Sequence, residues 1–212
     1  MAHVLVLRST DNPLLLNDLH EAMPHIHWID IPMPYLPGRG ETDAERKQLL
    51  ETVGSLIAPY RQWDAVFYAR AYGAFSAEGR AALSARVGGP VITAPGAVLQ
   101  YFSAQDWQRI FVLTPYGQAR HDFEVQWVTE QGLAVVASAC LGYDAGQDIA
   151  QLTPEDLVPG ITTGSRTPAD GIYVACTITR TVHYGMALHR TGHRPVISAT
   201  EAMLKALQEQ LS

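Results

Sequence analysis

Along the chain, short apolar and β-branched runs alternate with longer stretches in which apolar residues recur at helical spacing. Runs near 3–8, 26–31, 64–69 and 90–94 read as strands. Stretches near 13–23, 43–60, 76–87 and 95–104 read as helices, with Pro13 and Pro95 suited to a first helical turn. Past residue 105 the pattern starts again, with strands near 109–114, 133–139, 170–175 and 195–198 and helices near 117–131, 178–190 and 199–211. Apolar strands separated by helices predict parallel sheets covered on both faces.

The second round copies the first in order as well as in kind. Asp64-Ala-Val-Phe-Tyr-Ala-Arg70 matches Asp170-Gly-Ile-Tyr-Val-Ala-Cys176, and Val4-Leu-Val-Leu7 matches Ile110-Phe-Val-Leu113, both at an offset of 106. Pro90-Val-Ile-Thr-Ala-Pro95 matches Pro195-Val-Ile-Ser-Ala-Thr200 at an offset of 105. The expected fold is therefore α/β, with two pseudo-symmetric halves at about 1–105 and 106–212, each a parallel four-stranded sheet flanked by helices. The last helix is free to pack back on the first half. Ligands of open parallel sheets bind beyond the carboxyl ends of the strands. The facing halves should thus close a cleft lined by residues 8–12, 70–73, 114–117, 176–177 and 198–201.

Composition narrows the function classes. With 212 residues, 47% of them hydrophobic and 17% charged, the chain can bury a core without disulfide or metal staples. A net charge of -6 opposes attraction to phosphate, so no nucleic-acid partner is expected. No apolar run is long enough to span a membrane, and the start MAHVLVLRSTDNP lacks the marks of a signal peptide, so the expected location is the cytoplasm and no membrane partner is expected. A homo-oligomer is allowed. The two lysines, Lys47 and Lys205, lie on helical patterns, which argues against a Schiff base. Neither G-x-G-x-x-G after a strand nor G-x-x-x-x-G-K-[ST] occurs, and Cys140 and Cys176 share no C-x-x-C spacing. Chemistry without a cofactor or metal is what remains.

Cys176 ends a buried strand and precedes a helix. Helix N–H groups there would favour an anion and pull a thiol toward neutrality, giving a usable acid or base; the alternative is a small buried hydrophobe. Cys140 has no repeat-supported place in the cleft and reads as a buried structural thiol. His25 and His27 alternate along a strand without a third ligand at a recognisable spacing. His189 and His193 have i, i+4 spacing, but Gly192 should end the helix between them. His121-Asp122 reads as a solvated helix face, and His183 should point away from the cleft. The loop Ile31-Pro-Met-Pro-Tyr-Leu-Pro-Gly-Arg-Gly40 could cover the cleft with Tyr35 or Leu36, or merely connect elements.

Val112-Leu-Thr-Pro-Tyr-Gly117 and Asp170-Gly-Ile-Tyr-Val-Ala-Cys-Thr177 resemble segments of the aspartate/glutamate racemase superfamily, closest to its maleate isomerases and arylmalonate decarboxylases. The resemblance covers most of the chain. It implies two similar α/β halves and cofactor-independent chemistry at a carbon next to a carboxylate, with Cys176 as the catalytic residue. Racemases and maleate isomerases of this kind carry a cysteine in each half; here the first-half slot is Arg70, so a two-cysteine relay cannot operate. Arylmalonate decarboxylases likewise keep only the second-half cysteine.

A one-cysteine site makes physical sense for an enediolate, whose charge needs preorganised donors and exclusion of water. Candidate donors are the hydroxyls of Ser9, Thr10, Thr114 and Thr177, the phenol of Tyr116 and the peptide N–H groups after Cys176, with Tyr72 and Gly73 completing the wall beside Arg70. An inward Arg70 would clamp a carboxylate and favour isomerisation or racemisation over decarboxylation; an outward one would pair with an acid of the neighbouring loop. The expected function is an isomerase, racemase or decarboxylase acting at the α carbon of a small carboxylic acid, most simply a dicarboxylic one. The alternative is a non-catalytic carboxylate-binding protein descended from such an enzyme.

Overall fold

The architecture follows from the repeat. In this computed structural model, residues 1–36, 38, 40, 42–191 and 193–212 are described, without the side chain of Met186. Pro37 and Arg39 of the Pro/Gly-rich loop, and Gly192, expected to end a helix, lie outside the described residues. The first half runs β1 (His3–Ser9), α1 (Leu15–Ala22), β2 (His27–Met33), α2 (Asp43–Ile57), β3 (Ala65–Ala69), α3 (Ala77–Val87), β4 (Val91–Thr93) and α4 (Ala94–Ala104). The second runs β5 (Arg109–Tyr116), α5 (Gln118–Glu130), β6 (Ala134–Tyr143), α6 (Gly146–Ile149), α7 (Pro154–Ser165), β7 (Gly171–Val174), α8 (Thr181–Thr191), β8 (Val196–Ser198) and α9 (Ala199–Gln210).

Both sheets are parallel and have the same strand order, β2-β1-β3-β4 and β6-β5-β7-β8. The register repeats too: Val6 lies opposite Phe67 in one sheet and Val112 opposite Tyr173 in the other. The repeated aspartates explain part of the sequence match. Asp64 accepts the peptide N–H of His3 at 2.7 Å, and Asp170 accepts those of Gln108 and Arg109 at 2.9 and 2.8 Å, so each carboxylate pins the start of the neighbouring central strand. Likewise Thr93 and Ser198 cap α4 and α9 through their hydroxyls.

One stretch carries helices that hydrophobic patterning leaves unassigned. Between 140 and 169, β6 continues to Tyr143 and is followed by α6 and α7. The interior Pro159, with Gly160 and Gly164, hides α7 from a propensity reading. Its start is nevertheless marked by Pro154 at the first helical position and a Thr153/Asp156 capping box. The glycines let the helix lie close on the sheet: a Cβ on Gly164 would stand 2.6 Å from Phe111 Cδ1, and one on Gly160 2.6 Å from Leu113 Cδ1.

The largest buried cluster runs through both halves, from Val4, Val6 and Phe67 by way of Val98 and Phe102 to Ile110, Val112, Met203 and Leu207. Helices α4 and α9 pack against each other in this layer, and α9 also contacts β3 and β4 of the first half. Burial of such apolar surface is the main term favouring the folded state.

Candidate active site

The carboxyl ends of the central strands and the amino ends of α4 and α9 enclose a cavity of about 430 Å³. Its rim is exposed and polar, formed by Thr10, Asp11, Tyr35 and Asp144; its inner wall is buried, formed by Phe75, Ala94, Pro95, Tyr173 and Ala199. Between them stand Arg70 from the end of β3 and Cys176 from the end of β7, the two positions that the repeat makes equivalent.

Cys176 lies on a left-handed backbone turn, φ 85°, which a non-glycine residue adopts only at a cost in strain. The turn brings its sulfur to the cavity wall with 8% of the residue exposed. Burial pushes the thiol pKa up, outweighing the opposing donors: the Tyr116 phenol, the peptide N–H groups of Ile178 and Thr179, and the nearby Arg120 charge. Ile178 N donates to Sγ at 3.4 Å. This corrects the expectation of a helix-lowered thiol. Helix α8 begins only at Thr181, so its amino end is too far along the chain to offset desolvation.

Arg70 reaches both the cavity and the neighbouring loop, but without the acid partner that the outward reading expected. It lines the cavity, yet its Nη2 donates to the Leu36 carbonyl of the neighbouring loop at 2.9 Å. No acid pairs with it among the described residues. Tyr35 of the same loop stands at the rim, 83% exposed, whereas Leu36 is buried.

Ser9, Thr10, Tyr72, Tyr116 and Thr177 line the cavity; Thr114 and Gly73 do not. Thr114 is fully buried and hydrogen-bonded to His121 Nδ1 at 2.9 Å. Gly73 serves a left-handed turn, φ 84°, behind the wall. The Thr177 hydroxyl donates to the Ala69 carbonyl at 3.1 Å, so its proton is engaged in joining the two halves. The Ser9 hydroxyl lines the cavity and accepts from the Asp11 N–H at 3.3 Å. Arg8 pairs with Asp30 and Asn12 bonds to Thr177, which removes both from the cleft surface.

Other histidine and cysteine expectations divide. His183 points away, paired with Glu21 at 2.9 Å. His121 is buried rather than solvated, bridging Thr114 and Ser138, with its pKa lowered by burial. Cys140 is half-buried on β6 rather than buried, because that strand is the sheet's edge. His27 packs against the His3 ring, and both His25 and His27 are exposed.

Patterning missed three charged residues of the cavity, Asp144 at the rim and Arg120 and Glu124 on α5. The Arg120 guanidinium lies 4.2 Å from the Tyr116 ring centroid. Glu124 is 4% exposed and accepts a 3.0 Å hydrogen bond from the Tyr173 phenol. Burial raises its pKa to about 7, against the smaller opposing effects of Tyr173 and Arg120. The available signal was the acid's place on the inward stripe of α5, one turn before the buried Trp127 and Val128.

A family model for arylmalonate decarboxylase matches residues 65–212. The chain belongs to the arylmalonate decarboxylase family. No curated protein matches it. Solved structures of the same fold include the maleate cis-trans isomerase of Nocardia farcinica bound to Tris, at 14% identity and TM-score 0.85 over 100% of this chain and 92% of that one. The maleate isomerase Iso of Pseudomonas putida S16 aligns at 20% identity and TM-score 0.78 over 99% and 92%. An unliganded arylmalonate decarboxylase aligns at 17% and 0.76 over 100% and 93%. Another structure of the Nocardia farcinica enzyme holds a covalently bound succinylcysteine intermediate. Members of this fold thus include isomerases and decarboxylases, and no helix of this chain's described residues is long and apolar enough to cross a membrane.

Proposed function

We propose that the chain is a cofactor-independent enzyme acting at the α carbon of a small carboxylic acid through an enediolate, with Cys176 as the proton-returning acid. The observation that carries this reading is the buried Cys176 thiol at the wall of the cavity that Arg70 also lines, and burial raises the pKa of that thiol. A carboxylate enters the cavity and is held by Arg70, which no acid neutralises among the described residues. Departure of neutral CO₂, or passage of an α proton to solvent water in the cavity, leaves the bonding electron pair on the enediolate. The Sγ–H bond of Cys176 then breaks and a C–H bond forms at the α carbon. The resulting thiolate is held by Tyr116, Ile178 N and Thr179 N and regains its proton from solvent.

A group that must be protonated when the carbanion appears is better served by a raised pKa than by a lowered one, which supports acid rather than nucleophile chemistry at Cys176. Arg70 favours reactions in which the held carboxylate stays, since loss of CO₂ would require its charge to leave the guanidinium. Family membership keeps decarboxylation of a second carboxylate, one that Arg70 does not hold, within the same scheme.

The test is incubation in deuterated water with a panel of mono- and dicarboxylic acids, aryl-substituted malonates included, followed by NMR at the α carbon. Deuterium incorporation is expected for at least one acid, and Cys176→Ala should abolish it while leaving binding in place. Undiminished incorporation in that variant would remove Cys176 from the mechanism, and no incorporation with any acid would overturn the reading.

A further inference from the structure

Arg120 and Glu124 face the same cavity from successive turns of α5, and neither is satisfied by the other. No ion pair within 4 Å joins them among the described residues, although they are i, i+4 neighbours. Arg120 lies 4.2 Å from the Tyr116 ring and 5.9 Å from the Tyr72 ring, and it hydrogen-bonds the Tyr72 phenol, but it has no carboxylate partner within 4 Å among the described residues. Glu124 receives one hydrogen bond, from Tyr173 to Oε1. A buried carboxyl with an unengaged oxygen beside a guanidinium without a counter-ion leaves a place for a group that can accept hydrogen bonds from both.

The geometry points to Arg120 and Glu124 as a second carboxylate-receiving pair, in which a substrate carboxylate accepts from the Arg120 guanidinium and from the O–H of a protonated Glu124. The inference rests on the reading that the cavity takes a carboxylic acid, and it deepens that reading to a dicarboxylate: one group at Arg70, the other at Arg120 and Glu124. Two carboxyl groups in contact cannot both ionise cheaply, so the bound acid would hold the proton on Glu124. Binding and proton uptake are then one event.

The groups facing Glu124 allow that linkage to be read cleanly. They are Arg120 on its own helix, Tyr116 from β5, and Tyr173 and Cys176 from the β7 end; Arg70 and Tyr72 stand across the cavity on the first half. Burial raises Tyr116, Tyr173 and Cys176 above their ordinary values, whereas Glu124 sits at about 7, so among these four it is Glu124 that changes charge between pH 6 and 8.

The experiment is calorimetric titration of the full chain with malonate, succinate and glutarate, against acetate, propionate and butyrate, in buffers of different ionisation heat. At least one diacid should bind more tightly than its monoacid, taking up about half a proton at pH 7 and weakening about tenfold from pH 6 to pH 8. In Glu124→Gln, which keeps an acceptor for Tyr173 and a donor for the ligand, proton uptake should vanish and affinity should vary less than twofold over that range. Diacids that bind no better than monoacids, proton release, or uptake unchanged in the variant would overturn the pair. Deuterium exchange reads the Cys176 chemistry separately. Diacid binding with proton uptake but no exchange keeps the pair and loses the reaction; exchange without proton-linked binding does the reverse.

Discussion

The side-chain amide of Asn12 donates to the carbonyl oxygen of Thr177 at 2.7 Å, fastening the end of β1 to the residue that follows the thiol. Both partners are buried, and the bond crosses between the halves. It holds the left-handed turn at Cys176 from one side while the Thr177 hydroxyl, bonded to Ala69, holds it from the other.

Asn12→Ala should leave the Thr177 carbonyl without its partner in a dry place and lower stability by about 1–3 kcal/mol. Turnover should fall more than substrate affinity, because the sulfur loses its position before the carboxylate loses its cation. Thermal denaturation together with a kcat and KM split checks this; an unchanged kcat would show that the turn is held without Asn12.

Cys176→Gly separates strain from chemistry. Glycine accepts φ 85° freely, so the fold should be little destabilised, within about 1 kcal/mol, while exchange at the α carbon disappears. Tyr116→Phe removes a donor to the sulfur and should slow turnover by roughly 10²-fold with little loss of stability. Its thiol should also titrate higher than in the parent, since one of the donors opposing burial is gone. Ultraviolet thiolate absorbance against pH measures that shift directly.

Glu124 makes stability depend on pH. Its folded pKa is raised from 4.5 to about 7, so the stability of the neutral, buried form is fully present below about pH 4.5 and is lost as pH rises to about 7. The accumulated loss is on the order of 3 kcal/mol. Glu124→Gln should therefore match the parent near pH 4 and exceed it by an amount of that order at pH 8. Urea denaturation at the two values decides it, and a constant difference would mean that Glu124 does not titrate in this interval.

Much of the fold was legible because the repeat supplied each half with a reference. The pairs Asp64 with Asp170 and Thr93 with Ser198 look unremarkable singly, but together they locate strand starts and helix caps. Helix α7 was not legible, since Pro159 and its two glycines argue against a helix unless one knows that the sheet face behind them demands a close approach. Arg70 and Cys176 were readable from their equivalence in the repeat. Arg120 and Glu124 were not, because charged residues on a helix ordinarily face water, and only tertiary packing turns that stripe of α5 inward. The same blindness put His121 in solvent and Cys140 in the core.

Gly164→Ala tests why α7 carries glycine. The added methyl would meet Phe111 and Ile172, both fully buried, and should cost about 1–3 kcal/mol. A neutral result would mean that the helix can lift without penalty.

The unbroken apolar layer from β1 through α4 and α9 to β5 has a bearing on how molecules get in and out. Hinging the halves apart would wet Phe102, Met203 and Leu207 and undo the contact of α4 with α9. Traffic is accordingly left to the mouth of the cavity, where Tyr35 stands 83% exposed on a frame that stays shut.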